Sequence, residues 1–343
     1  MEQRRLGSSG LSLSAFTFGT MTIGGRDRYA KMGNLGVSET SRMLGALRDA
    51  GVTSIDTADA YSFGRAEEIL GEALKGQRQH FVLISKVFLR MGPAPHDTGL
   101  SRQHIIAGCD ASLRRLQTDY LDLYISHQPD MFVPVDETMR AFDDLVRQGK
   151  VRYIGCSNHA AWQVMKAIAV SERHRFARYI CQQVNYSLVA RDVEREIVPL
   201  ALDQRAGLMA WSPLQAGLLT GKFRRSVKPD VSRLNELDPP GTIDYERLYR
   251  IVDVLEAIAN ERGVTIPQVA LNWALHKPAV DTVIIGARNE RQLQDNVAAA
   301  GWKLSREEMA RLDEVSALPE PYPHWHQHKF GIERNPHGPA IRE

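Results

Sequence analysis

Four side chains in the first 130 residues, Asp56, Tyr61, Lys86 and His127, are of the types needed to put a proton on a carbonyl oxygen. A phenol ordinarily ionises at about pH 10 and is a poor acid near neutrality. An ammonium beside it, here Lys86, favours the phenolate and lowers that value. A carboxylate such as Asp56 holds the ammonium in place. A histidine beside the phenol can hydrogen-bond a substrate oxygen and orient it. Together they make a general acid for a carbonyl oxygen that is becoming an alkoxide. Alone, each means little: a strand-end lysine is usually a solvated rim residue, and a strand-end histidine usually a structural one.

What must bring them together is an alternation of short and long segments. Apolar, β-branched runs recur at Phe16–Gly19, Thr53–Asp56, Phe81–Lys86, Leu121–Ser126, Val151–Cys156, Tyr179–Val184, Gly207–Trp211 and Thr282–Gly286, each of strand length. Helical spacing lies between them, over Ser38–Gly51, Ala66–Leu74, Ser101–Leu116, Val135–Gly149 and Ala160–Phe176. A strand–helix alternation predicts a parallel sheet with right-handed crossovers. Eight strands, with no Pro/Gly/Ser-rich linker between them, favour a closed (β/α)8 TIM barrel over an open doubly wound sheet, and a single domain over residues 1–343. A bare barrel takes about 250 residues, leaving about 90 for additions. These are expected as an N-terminal hairpin cap (1–15), a long loop after strand seven (214–245) and an irregular C-terminal tail (318–343). Such a barrel works at the C-terminal ends of its strands. There the sequence places Asp56 and Tyr61, Lys86, His127, Ser157 and Asn158, Gln183, Trp211 and Ser212, and Gly286 and Arg288.

Other functions fit worse. With 43 Lys plus Arg against 41 Asp plus Glu, the 343-residue chain has a net charge of +2, so neither nucleic acid nor a membrane surface is an expected partner. No apolar run reaches membrane-spanning length. The N-terminus lacks the apolar stretch of a signal peptide, which predicts a cytoplasmic protein and makes the Asn185-Tyr186-Ser187 sequon a coincidence. Cys109, Cys156 and Cys181 have no CxxC spacing and read as reduced, buried thiols. HExxH, GxSxG and GxGxxG are absent, and Gly217–Lys222 is one residue short of a phosphate loop. His324, His326 and His328 form an alternating run in the tail, where no metal is expected. His104, His174 and His276 read as surface residues of helices.

The motifs resemble those of the aldo-keto reductase superfamily over roughly residues 4–317. Ile55-Asp56-Thr57-Ala58 with Tyr61, then Gly64 with Glu67-Glu68-Ile69-Leu70-Gly71, resembles its first signature. Ile84-Ser85-Lys86-Val87 is similar to the lysine strand, and Leu121-Asp122-Leu123-Tyr124 with His127, Pro129 and Asp130 to the histidine motif. Trp211-Ser212-Pro213-Leu214 with Gly217 and Leu219-Thr220-Gly221-Lys222 resembles the cofactor loop, and Gly286-Ala287-Arg288 with Gln292 and Asn296 the adenosine-phosphate site. The resemblance implies carbonyl reduction with NADPH. Tyr61 would be the general acid, Lys86 would lower its pKa, Asp56 would pair with Lys86, and His127 would orient the carbonyl. Ser157, Asn158 and Gln183 would hold the nicotinamide carboxamide, and Trp211 would stack on the ring. Gly19, Thr20 and Met21 would lie under its ribose. Ser212, Leu214, Gly217 and Lys222 would cradle the pyrophosphate. Arg288 and Gln292 would reach the 2′-phosphate, a role suited to a guanidinium, and Asn296 the adenine.

The sequence departs from the pattern at Ser62-Phe63, in place of the glycine that often follows the tyrosine, at Gln128 and at His159. These positions bear on the substrate space. Trp325 and the stretch 32–37 are expected to line it too. An alternative within the same resemblance is a nucleotide-sensing subunit similar to potassium-channel β-subunits, with little turnover.

Overall fold

A computed structural model describes residues 1–26, 29–225 and 243–334. Its strands are β1 (Gln3–Arg5), β2 (Ser12–Ser14), β3 (Phe16–Gly19), β4 (Ser54–Asp56), β5 (Val82–Val87), β6 (Leu121–Ser126), β7 (Val151–Ser157), β8 (Tyr179–Asn185), β9 (Gly207–Trp211) and β10 (Val280–Ile285). Its helices are α1 (Val37–Asp49), α2 (Arg65–Ala73), α3 (Arg102–Leu116), α4 (Val135–Arg147), α5 (Ala161–His174), α6 (Val193–Gln204), α7 (Tyr245–Arg262), α8 (Ile266–Leu275), α9 (Glu290–Ala298), α10 (Arg306–Val315) and α11 (His324–Arg334).

Strands β3 to β10 close into a parallel barrel in sequence order, with β10 returning to β3. Ile285 stands opposite Phe18 on one side of β10 and Val283 opposite Ala210 on the other, where the register shifts by one residue between Val280 and Thr282. The eight runs legible in the sequence are these eight strands, within two residues at either end. They are apolar almost throughout because a barrel strand is buried on both faces. One set of side chains, including Ile84, Leu123, Ile125, Cys181, Met209 and Ile284, fills the barrel. A larger set, including Leu44, Leu70, Phe142, Ile168, Leu255 and Trp273, packs strands against helices.

The hairpin β1–β2 pairs antiparallel, Gln3 opposite Ser14. Leu6, Leu11 and Leu13 join the interior cluster, so the hairpin plugs the barrel end that the helices leave open. Gly7 permits this closeness: a β-carbon there would lie 2.6 Å from the Arg205 carbonyl oxygen, and its φ is +57°. Its amide donates to Asp281 Oδ2 at 2.7 Å, fixing the plug to β10.

Three expectations change. The tail is not irregular throughout, because α11 spans its middle. Pro319, Pro321 and Pro323 crowd upstream of it, and the next eleven residues contain none. His104 is buried rather than exposed, 6% accessible, facing the loop that carries His96 and Asp97. Of the expected loop 214–245, Gln215–Thr220 is a run of tight turns, while 226–242 lie outside the described residues. The three cysteines are free and buried, and burial pushes the Cys109 thiol up to about 12. Among the described residues no helix is long and apolar enough to cross a membrane.

Candidate active site

Adjacent strands β4 and β5 pair with Asp56 opposite Ile84, which sets Lys86 just beyond Asp56 at the barrel mouth. The Lys86 ammonium is fully buried and has three acceptors for its three N–H groups. It donates to Asp56 Oδ2 at 2.6 Å, to the Thr57 carbonyl at 2.8 Å and to the Tyr61 hydroxyl at 3.3 Å. Gln183 Nε2 donates to the other oxygen of Asp56 at 2.8 Å, so the carboxylate is fixed from both sides. Burial pushes the ammonium towards neutrality, but Asp56 and Tyr61 more than offset it, and its pKa lies above the ordinary lysine value.

Tyr61 follows β4 at the start of a tight turn, Tyr61–Gly64. Lys86 acts on its pKa in the direction read from residue types, and burial acts against it. Burial raises the phenol above its ordinary value by more than the Lys86 charge lowers it. The phenol is therefore protonated at neutral pH, and the adjacent cation would stabilise a phenolate there. His127 stands edge-on to it, ring centres 6.1 Å apart at 74°. Burial, and then Lys86, lower its pKa to about 3, so the imidazole is neutral and offers one N–H donor. Its Nδ1 is buried with no partner among the described residues.

These groups open on a cavity of about 600 Å³. Its lining reaches from Asp56, Tyr61 and His127, past Gly19, Thr20, Met21, Ser157, Asn158, Gln183, Trp211, Ser212, Leu214 and Gly217, to Lys222, Gly286, Arg288, Gln292 and Asn296. Every residue singled out as catalytic or cofactor-binding lies on this wall except Lys86, which stands behind Tyr61. Two of them also hold the wall together. Asn158 donates from Nδ2 to the His127 carbonyl at 3.0 Å and accepts from Trp211 Nε1 at 3.2 Å. Gln183 anchors Asp56. Residue types alone do not reveal these internal bonds.

Tyr29, Leu89, Pro267 and Leu271 line the cavity without having been singled out. Tyr29 faces Tyr61, ring centres 6.1 Å apart. An isolated aromatic in a loop carries no periodicity that would mark it. Two expectations do not hold among the described residues. Met32 and Leu35 are buried in the core and Trp325 packs on Tyr322 and His326, and none of the three borders the cavity.

The far end of the cavity suits an anion. Ser212, Gln215, Ala216 and Gly217 have φ of 51°, 44°, 52° and 99°, and such turns gather backbone N–H groups into a concave nest. Helix α9 starts there behind Asn289, adding its positive end. Lys222 and Arg288 are the cationic side chains in the described lining. Ser157 Oγ is a buried hydroxyl with no partner among the described residues, beside Trp211 and Asn158 on the same wall.

The model of the Aldo/keto reductase family matches residues 15–317. The chain belongs to the aldo/keto reductase family. Membership makes it an oxidoreductase of a family whose members typically use nicotinamide cofactors. Curated relatives of this aldo/keto reductase carry both kinds of name. A probable voltage-gated potassium channel subunit beta from Arabidopsis thaliana is 38% identical over 87% of this chain and 91% of its own. A versiconal hemiacetal acetate reductase from Aspergillus parasiticus is 33% identical over 92% and 96%. An uncharacterized oxidoreductase from Bacillus subtilis is 36% identical, also over 92% and 96%.

Proposed function

We propose that this aldo/keto reductase reduces an aldehyde or ketone to an alcohol with NADPH, in the cytoplasm. The observation that carries the reading is the buried Asp56–Lys86 pair bonded to the half-buried Tyr61, opening with His127 on a cavity whose far end is cationic. NADPH, when bound, supplies the hydride. The protein supplies the proton: Tyr61 gives it from its hydroxyl to the carbonyl oxygen, and Lys86, held by Asp56, stabilises the phenolate. His127 donates a neutral hydrogen bond to the same oxygen and orients it. Trp211, steadied by Asn158, walls the nicotinamide. The orphan hydroxyl of Ser157 meets the carboxamide, with Asn158 and Gln183 beside it. Gly19, Thr20 and Met21 form the floor. The nest from Ser212 to Gly217, with Leu214 and Lys222, takes the pyrophosphate. Arg288 and Gln292 take the 2′-phosphate, and Asn296, whose amide donates to the Gly286 carbonyl at 3.1 Å, packs at the adenine.

Loss of NADPH absorbance against a panel of aldehydes and ketones tests the reading. Saturable turnover on at least one compound supports it. Negligible turnover on all, with tight NADPH binding, would favour the second reading, a nucleotide-sensing subunit, which the β-subunit relatives support.

Two outcomes are expected. Arg288→Ala weakens NADPH by roughly 10-fold or more, the scale of a charge-assisted bond, and NADH far less; equal losses in a binding titration contradict the 2′-phosphate role. The rate of reduction stays level from about pH 5 to pH 9. His127, with its pKa at about 3, is already neutral across that window, and Tyr61, raised above 10.0, is still protonated. An inflection near the ordinary histidine value would contradict the neutral imidazole.

A further inference from the structure

The turn carrying Tyr61 has an unusual backbone. Ser62 sits at φ 49°, ψ 35°, Phe63 at φ 51°, ψ 51°, and Gly64 at φ 85°. Three successive residues are left-handed and two of them have β-carbons, a conformation that L-residues adopt only when their surroundings impose it. The imposing contacts come from two sides. Arg115 occupies the space beside Gly64, where a β-carbon would meet its Cδ at 2.8 Å, and Glu67 fixes Arg115 at 2.7 Å. The middle of the turn is held by Ser62 itself.

Ser62 is fully buried. Its hydroxyl donates to the Ile23 carbonyl at 2.9 Å and accepts from the Arg26 amide at 3.4 Å. Gly24 lies against it so closely that a β-carbon there would come 2.9 Å from Ser62 Cβ. Both bonded partners belong to the loop after β3. That loop also carries Thr20 and Met21 of the cavity wall, and Thr22 ties it to the Ala287 carbonyl at 3.0 Å, next to Arg288. One side chain thus bonds the turn bearing the proposed acid to the loop bearing part of the cofactor wall.

We propose that Ser62 is a positioning residue for the reaction, fixing the Tyr61 hydroxyl relative to the cavity by stitching its strained turn to the loop after β3. Ser62 is not itself on the cavity wall and needs no contact with substrate or cofactor. The proposal rests on the reading of Tyr61 as the proton donor. It also gives Ser62, the first of the two residues standing where a glycine commonly follows the tyrosine, a role in holding the acid rather than in choosing the substrate.

Two substitutions separate positioning from stability. Ser62→Ala keeps the β-carbon in its strained place and loses both hydrogen bonds. Ser62→Gly loses the same bonds but relieves the strain, so its thermal midpoint should lie at or above that of Ser62→Ala. For both, kcat of carbonyl reduction should fall by roughly 10- to 100-fold, the scale of an ångström-sized misplacement of a reacting group. NADP⁺ affinity, read by fluorescence titration, should change less than about 3-fold, within the cost of half a hydrogen bond. A wild-type kcat in either variant overturns the proposal, as does a loss of kcat that recovers in step with the midpoint in Ser62→Gly. Tyr61→Phe measured alongside keeps the two claims apart. An active Tyr61→Phe removes the premise, whereas an inactive Tyr61→Phe with active Ser62 variants removes the stitch alone.

Discussion

Tyr61→Phe loses carbonyl reduction by roughly 100- to 10,000-fold in kcat, the range of a missing general acid, while its affinity for NADP⁺ stays close to wild type. The fold should survive. Lys86 keeps the Asp56 carboxylate and the Thr57 carbonyl as acceptors, at 2.6 and 2.8 Å, and loses only its longest bond, at 3.3 Å. The lost hydroxyl leaves no charge unpaired. Steady-state kinetics with the best compound of the aldehyde panel, beside a cofactor titration, provides the check. Turnover within a few-fold of wild type would remove Tyr61 from the proton step.

Lys86→Met has a larger effect on the molecule as a whole. It removes the cation that stabilises the phenolate, so turnover falls at least as far as in Tyr61→Phe. It also strands the Asp56 carboxylate, 2% exposed, with Gln183 as its remaining side-chain donor. Breaking one side of a buried ion pair costs about 3–5 kcal/mol, because the surviving charge has neither water nor partner. The thermal midpoint should drop accordingly, and Lys86→Met with Asp56→Asn should recover much of the stability and none of the activity. The sign of the pH effect is fixed by the direction of the shift. The Lys86 pKa is raised above 10.5, so its stabilisation is complete below that value and is lost only as pH rises through the folded-state pKa. A Lys86→Met protein as stable as wild type at neutral pH would contradict the buried pair.

The barrel was legible because its strands are buried on both faces: β3, β6 and β9 match their apolar runs residue for residue. Asp56, Tyr61, Lys86 and His127 were legible because polar groups ending apolar runs must gather at one barrel mouth. Energies were less legible than positions. The direction of the Tyr61 shift depends on how deeply the ring is desolvated against how near the ammonium stands, and residue types give neither. Tyr29 escaped notice because a loop has no period. His104 is buried where helical spacing puts it at the surface, because that spacing says which face of α3 meets the barrel, but not that the loop with His96 and Asp97 covers its start. The bonds of Asn158 to His127 and Trp211 join segments far apart in sequence, and no local pattern marks them.

The plug formed by β1 and β2 has a practical consequence for handling the protein. Because Leu6, Leu11 and Leu13 close the barrel end opposite Tyr61, the amino terminus is carried on the rear of the molecule, with Met1 partly exposed there. An affinity tag or surface linker attached before Met1 would anchor the enzyme with its mouth turned towards the solution. A linker attached through the cationic rim at Lys222 would cover that mouth instead.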